Sequence, residues 1–114
     1  MRTNKLLLQD ILCCCDEVLT IVKGFDQASF VASDVVRSAA QLKLIIFGEA
    51  SARLTDEFKN RHSEIPRKNI IAYRKFAAHA YFQVETKRVW ETVNAHVPPL
   101  RDAVAAILAK EFPA

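Results

Sequence analysis

Arg74, His79 and Tyr81 place a fixed cation, a titratable imidazole and a phenol within eight residues of an otherwise apolar segment. Arg is always charged and suits phosphate, and His can transfer a proton near neutral pH. In a helix, Arg74 and Tyr81 project from almost the same face, and His79 lies about 140° around the axis from Arg74. Only Ala77 and Ala78 lie between Arg74 and Tyr81 on that face, so a phosphate or another protein surface could come close. The alternative interpretation is an amphipathic helix with a surface Arg and a His at its frayed end.

Basic residues concentrate around these three side chains. The chain has a formal net charge of +3, but residues 59–88 hold eight Lys and Arg against two Glu, a local net charge of +6. The rest of the chain has a net charge of −3. This asymmetry favours a polyanionic partner such as nucleic acid. A solvated surface of mixed charge would give the same counts.

Arg, His and Tyr in a basic region without metal ligands favour one metal-free reaction, the cleavage of RNA, which needs few chemical groups. A base takes the proton from the ribose 2′-hydroxyl, an acid protonates the leaving oxygen, and a cation stabilises the charged phosphorane. One such His and one Arg per chain are too few for a complete site. Two copies across a twofold axis would supply both the acid and the base. His62 and His96 are isolated in the sequence, and we expect them to be structural or exposed.

Length and composition predict a small helical domain. The 114 residues are enough for one domain. The chain has only two Gly and four Pro, and so few helix-breaking residues favour long helices. Cys13, Cys14 and Cys15 are adjacent, so in a helix they point about 100° apart and cannot jointly bind one metal. We expect them to be apolar filler in a reducing compartment, with no cofactor or metal. No apolar run is long enough to span a bilayer, so we expect a cytosolic protein without a membrane partner.

Apolar periodicity and helix breakers divide the chain into about five helices. The first carries a stripe at steps of three and four, formed by Leu7, Ile11, Cys14, Val18 and Ile21, and ends near Gly24. A long helix is expected from about residue 33 to 61, with Gly48 and Ser51 as the points where it can bend. The break at residues 65–66 precedes the helix with the Arg and His, another helix opens at residue 86, and a last helix follows residues 98–99. The prediction is an all-α bundle with short connections.

The motif itself resembles that of a known family. Arg74-x4-His79-Ala80-Tyr81 is similar to the Arg-x4-His-x-Tyr form of HepT-type toxins, within the Arg-x(4–6)-His signature of HEPN-domain ribonucleases. The likeness extends in order along nearly the whole chain, in segments Phe47-Gly48-Glu49-Ala50, Arg53-Leu54, Ile65-Pro66, Tyr81-Phe82, Val89-Trp90-Glu91-Thr92-Val93 and Pro98-Pro99-Leu100.

The resemblance implies a single HEPN/HepT-like domain over residues 1–114, an antiparallel helical bundle that forms a homodimer with catalytic clefts at its interface. Such a protein is the toxin of a toxin–antitoxin system and a metal-independent RNA endonuclease. Arg74 would bind the scissile phosphate and His79 would transfer protons. Tyr81 would receive AMP from an MntA-type minimal nucleotidyltransferase antitoxin, which would block the cleft by bulk and negative charge.

The basic residues near the motif are expected to bind RNA, and two of them depart from the family pattern. Lys75 stands where a small polar residue, often Asn, is common, and Arg67 stands where Trp is common; Lys68 follows. Lys75 precedes His79 by four residues, so in a helix its charge disfavours protonated His79. Two alternatives therefore stay open: a catalytically inactive HEPN binding subunit of a nucleotidyltransferase complex, and a nucleic-acid-binding dimer without chemistry.

Overall fold

The computed structural model describes residues 3–65, 74–75 and 83–113, and all regular structure in these ranges is helical. Arg74 and Lys75 are helical in addition to the six helices named next. The elements are α1 (Asn4–Ile21), α2 (Gln27–Ala32), α3 (Asp34–Arg53), α4 (Asp56–Arg61), α5 (Gln83–Ala95) and α6 (Val97–Glu111). The prediction of an all-α fold is confirmed.

Helix α1 is the centre of the core. Its predicted stripe is buried except for Ile21, which is half-buried, and Leu8 and Cys15 are fully buried beside it. Two buried rows are required because α1 packs against both α3 and α6. The buried face is therefore wider than the single stripe that the sequence indicates.

Helices α1 and α3 run antiparallel. Near one end of the pair, Asn4 contacts Thr55 just beyond α3. Near the other, the Lys43 ammonium of α3 lies 2.7 Å from the Glu17 carboxylate of α1. Helix α1 also contacts α6 through an ion pair in which Arg101 Nε donates to Asp16 Oδ1 at 2.7 Å.

The turn after α1 and the short α2 follow local signals in the sequence. Gly24 has a φ of +83°, a left-handed conformation that favours glycine after a helix end. The Asp26 carboxylate then accepts a hydrogen bond from the Ser29 N–H at 2.8 Å, and the Ser29 hydroxyl accepts from the Asp26 N–H at 3.0 Å. This capping box starts α2. Ser33 ends α2 and also caps α3, where its hydroxyl accepts from the Val36 N–H at 3.2 Å.

The long helix expected from residue 33 to 61 is interrupted, so that prediction was wrong at one point. Leu54 leaves the helix with φ −57° and ψ 143°, and Thr55 caps α4 by accepting from the Phe58 N–H at 3.2 Å. Asn4 holds the break from the other side: its amide donates to the Thr55 hydroxyl and accepts from the Thr55 N–H, both at 3.2 Å. Leu54 and Phe58 stay buried on either side of the break, which explains why the apolar period continues through it.

Helices α5 and α6 meet at His96, closer to the N-terminus than expected. Pro98 lies in the first turn of α6, where a missing N–H removes no helical hydrogen bond. The proline pair therefore begins the last helix and does not precede it. The partly buried Trp90 ring packs on Phe30 of α2 with centroids 5.1 Å apart, at the edge of the core. In the described ranges, no helix is both long enough and apolar enough to cross a membrane.

The three cysteines differ in reactivity, which gives a test of the core. Burial raises the pKa of Cys14 to about 11 and that of Cys15 to about 12, from 9.0. Cys13 is exposed, and its hydrogen bond to Glu17 at 2.9 Å raises its pKa as well. We expect iodoacetamide at pH 8 to modify Cys13 alone in the native chain and all three thiols in urea, as read by peptide mass spectrometry.

The raised pKa values of the two buried thiols also predict how the stability of the fold depends on pH. The folded pKa of Cys14 and Cys15 lies above the ordinary value, so their burial stabilises the fold fully below about pH 9. That contribution is lost as the pH rises through 11 to 12. Rapid native-state labelling of Cys15 at pH 8 would contradict this description of α1.

Candidate active site

Arg74 lies against helix α3 at the consecutive residues Gly48 and Glu49. Its Nε donates to Glu49 Oε1 at 2.9 Å, and its Nη2 lies 2.6 Å from the same oxygen. Two guanidinium donors on one carboxylate oxygen fix the plane of the guanidinium more firmly than a single contact would. The sequence-predicted phosphate-binding residue is thus held by a carboxylate 25 residues earlier in the chain.

Gly48 provides the space in which the Arg74 side chain lies. A Cβ at Gly48 would collide with Arg74 Cγ and would lie 3.4 Å from Cδ. A glycine inside a helix costs about 0.5–1 kcal/mol relative to alanine. Its place in the middle of α3 is explained by this close approach, because any larger residue would displace the arginine.

Arg74 and Glu49 are both accessible to a ligand. The Arg74 side chain is 40% exposed and the Glu49 side chain 46%. Lys75, the next residue, is exposed. A phosphate could therefore reach the guanidinium without any core side chain moving, and a second cation lies beside it in sequence.

The structure places only two of the six predicted site residues. Arg74 and Lys75 are described above, whereas Arg67, Lys68, His79 and Tyr81 lie outside the described residues. The predictions for those four residues remain predictions. Lys59 and Arg61, two other basic residues of segment 59–88, make structural contacts. Lys59 donates to the Ala52 carbonyl at 2.9 Å, and Arg61 pairs with Glu111 at 2.8 Å.

The role of Glu49 was missed by the chemical analysis of the sequence. Segment 47–50 was noted there only for its resemblance to a family segment. Nothing in the spacing of Glu49 and Arg74 shows that α3 and the motif meet, because the contact depends on tertiary packing. The glycine next to the glutamate is the one local signal, since an isolated Gly inside a helical pattern often has a packing reason.

His62 belongs to a second polar cluster, between the end of α4 and the end of α6. Its Nδ1 lies 2.9 Å from Glu64 Oε1, its Nε2 contacts Glu111 Oε2, and its ring packs on Phe58 with centroids 4.5 Å apart. Arg61 contacts the other oxygen of Glu111. His62 is isolated in the sequence because its partner Glu111 is far away in the chain.

The groove beside this cluster has a volume of about 650 Å³, and its lining includes the apolar Ile107 and the charged Lys110. The acidic and basic side chains along it compensate one another. The hydrogen bond of Glu64 with its own backbone, and then that with His62, lowers the pKa of Glu64. We assign the cluster a structural role, that of joining α4 to the end of α6.

Metal ligands do not gather in the described part of the chain. Within residues 3–65, 74–75 and 83–113, no three His, Cys, Asp or Glu side chains are arranged so that they could hold an ion. The chemistry that this part of the site supports is the binding of an anion by Arg74.

Comparison with known proteins identifies the family. The model of the HepT-like ribonucleases matches residues 11–107. The chain belongs to the HepT-like ribonuclease family. The resemblance drawn from the sequence, and with it the ribonuclease class, is confirmed at the level of the family.

Three curated relatives match this HepT-like chain over nearly their whole length. A protein of Caldanaerobacter subterraneus subsp. tengcongensis, provisionally named as an RNase, is 37% identical over 97% of this chain and 99% of its own. A protein of Thermococcus cleftensis, provisionally named ribonuclease HepT, is 31% identical over 88% of this chain and 91% of its own. A provisionally named RNase of Methanocaldococcus jannaschii is 28% identical over 93% and 97%. No solved structure matches the chain significantly.

The contact between Gly48 and Arg74 can be tested through protein stability. We expect Gly48→Ala to lower the free energy of unfolding by about 1–3 kcal/mol, because the added methyl group overpacks the site. In an Arg74→Ala background the colliding atom is absent. There the same substitution should raise stability by about 0.5–1 kcal/mol, through its helix propensity alone.

Urea unfolding of the wild type, both single variants and the double variant measures this change of sign. A stabilising effect of Gly48→Ala in the wild-type background would show that Arg74 does not lie on Gly48.

Proposed function

We propose that this chain is the toxin of a toxin–antitoxin pair and a metal-independent RNA endonuclease. The observation that carries the proposal is an arginine held by Glu49 yet 40% exposed, at the motif position of a HepT-like chain. An oriented and accessible guanidinium suits phosphate recognition. The names of the relatives support RNA as the substrate.

In the proposed reaction, His79 and Arg74 act on one sugar–phosphate link. A neutral imidazole takes the proton of the ribose 2′-hydroxyl, whose oxygen attacks phosphorus. The bond from phosphorus to the 5′-oxygen breaks, and a protonated imidazole gives that oxygen a proton. Arg74 stabilises the additional negative charge of the phosphorane. The products are a 2′,3′-cyclic phosphate and a 5′-hydroxyl, and no metal takes part.

A second copy of the chain would complete this site, since the reaction uses an acid and a base. Helix α3 offers a surface for it. Val35 is 80% exposed, Leu42 54% and Ile46 39%, and spacings of seven and four place them on one helical face. Glu49 follows Ile46 by three residues and so borders this apolar face. A twofold contact here would bring the two Arg74 side chains towards the interface.

Charge is also complementary in such a contact. If two copies of α3 pack antiparallel, Leu42 lies opposite the partner's Ile46, close to the twofold axis. Asp34 in the first turn then lies near the partner's Arg53 in the last turn, and both residues are exposed. An apolar centre with a polar rim is the usual anatomy of a protein interface.

Neutralisation by an MntA-like nucleotidyltransferase antitoxin is part of the same proposal. AMP attached to Tyr81 would add bulk and negative charge near Arg74. The guanidinium would then attract the modification and be less able to bind RNA. The exposed Lys75, together with Arg67 and Lys68, is proposed to bind the RNA backbone, and the reaction is proposed to take place in the cytosol.

Cleavage by the purified protein in EDTA tests the chemistry. We expect His79→Ala to lower the rate by about 10²–10⁴ and Arg74→Ala by about 10²–10³, because each removes one part of the reaction. His96→Ala is the matched control, since this exposed His begins α6 and should leave the rate unchanged. Expression of the wild type without antitoxin should arrest growth.

Retained cleavage in His79→Ala or Arg74→Ala would refute the assigned roles. A wild type that forms a tight complex with the nucleotidyltransferase but never cleaves RNA would identify the non-catalytic binding subunit instead.

The dimer surface is tested by Leu42→Asp. A buried charge at the centre of the interface should convert the dimer to a monomer in analytical ultracentrifugation and abolish RNA cleavage. The wild-type side chain is half exposed in one chain, so the fold itself should be stable. Ala109→Asp adds the same charge at an exposed position of α6 and should remain dimeric. A Leu42→Asp variant that still dimerises would exclude this face, and a monomeric wild type would exclude the composite site.

A further inference from the structure

Glu49 holds one particular edge of the Arg74 guanidinium. Oε1 of Glu49 contacts both Nε and Nη2, which form the side edge of the planar group. We propose that Glu49 is a positioning residue for RNA cleavage, which directs the adjoining terminal edge of Arg74 towards the scissile phosphate. This inference rests on the proposed ribonuclease function and adds a residue to its site.

The geometry of arginine explains why one edge must be held. The guanidinium carries five N–H donors in a rigid fork, and it can bind a phosphate through its side edge or through its terminal edge. The two modes place phosphorus in different positions relative to the side chain. With Nε and Nη2 on Glu49, the two Nη1 donors and the outer N–H of Nη2 form the terminal edge that is left for a phosphate. A phosphate bound there has one defined location.

Gly48 restricts the same side chain closer to its backbone. The aliphatic part of Arg74 fills the space that a Cβ at Gly48 would take, with Cδ 3.4 Å from that position. Two consecutive residues of α3 thus fix both the aliphatic part and the guanidinium of the Arg74 side chain. A helix is a rigid support, and catalytic groups held by such elements keep their geometry better than groups on loops.

Stability alone is a weak explanation for the pair. Both side chains are about half exposed, and exposed ion pairs contribute little to folding. The carboxylate also lowers the positive charge available for phosphate, which opposes RNA binding in the ground state. Orientation is the benefit that remains, and orientation affects the rate more than it affects binding.

The test compares the wild type with Glu49→Ala, Glu49→Gln, Arg74→Ala and Glu49→Ala/Arg74→Ala by steady-state cleavage of one RNA oligonucleotide. We expect Glu49→Ala to lower kcat by about 10–100-fold without raising KM, because the guanidinium is free to turn and no longer neutralised. Glu49→Gln keeps an oxygen that accepts from Nε, and should retain kcat within about threefold of the wild type.

The double variant separates positioning from a structural role. If Glu49 acts through Arg74, the double variant should be no slower than Arg74→Ala, since there is no guanidinium left to orient. Asp16→Ala is the matched control. It removes an arginine–carboxylate pair of similar exposure and length, between α1 and α6, and should leave kcat unchanged.

Three outcomes would overturn the inference. In the first, the double variant is slower than Arg74→Ala by the same factor by which Glu49→Ala lowers kcat in the wild type. In the second, Glu49→Ala raises KM with kcat unchanged. In the third, Asp16→Ala lowers kcat as much as Glu49→Ala does. Each of them leaves the ribonuclease function standing, because the wild type cleaves. A wild type that does not cleave RNA overturns the proposed function and this inference together.

Discussion

Helix α3 has to pack on the core and hold Arg74 while a third, apolar face stays exposed, and the rest of the molecule depends on how these faces are divided. One face, with Leu44 and Phe47, is buried against the core. The opposite face carries Val35, Leu42 and Ile46 towards solvent. Gly48 is buried at the edge of the core face, whereas Glu49 follows Leu42 by seven residues and lies beside it on the exposed face. Arg74 contacts the helix at both residues. A shift of α3 by one residue would rotate its side chains by about 100°. The core residues, the residues that contact Arg74 and the exposed apolar residues would then all face the wrong direction. Ser33 caps the start of α3, and the hydrogen bonds between Asn4 and Thr55 hold the chain just beyond its end, so both ends of the helix oppose such a shift.

The part of the fold that follows from local pattern could be predicted from the sequence. The stripe of α1 and the turn at Gly24 depend on periodicity and turn chemistry, which act over a few residues. The break at Leu54 could not be predicted, because the side chain that holds it is Asn4, at the other end of an antiparallel pair. Apolar periodicity continues across the break, since Phe58 is still buried on the far side.

The candidate site, like the fold, could be predicted from the sequence only in part. The residue types and their spacing were enough to select Arg74 as a phosphate-binding candidate, because a charged side chain in an apolar segment needs a reason. Its partner Glu49 was not recognisable as such, since an exposed glutamate on a helix is an ordinary surface residue until the second helix is placed. His62 illustrates the converse. A histidine that looked unattached is paired with Glu64 and Glu111 and joins two helix ends.

The apolar face on α3 has a consequence for how the activity depends on the concentration of the chain. On the pairing proposed above, each catalytic cleft draws on two molecules, so the amount of active enzyme is governed by mass action. Well below the dissociation constant, a tenfold fall in the number of chains lowers the population of assembled clefts by about a hundredfold. Occasional leaky synthesis would therefore be nearly harmless, whereas a burst of production would cross into toxicity abruptly. The concentration at which the chain becomes toxic would be set by the apolar area that Val35, Leu42 and Ile46 bury when two chains associate.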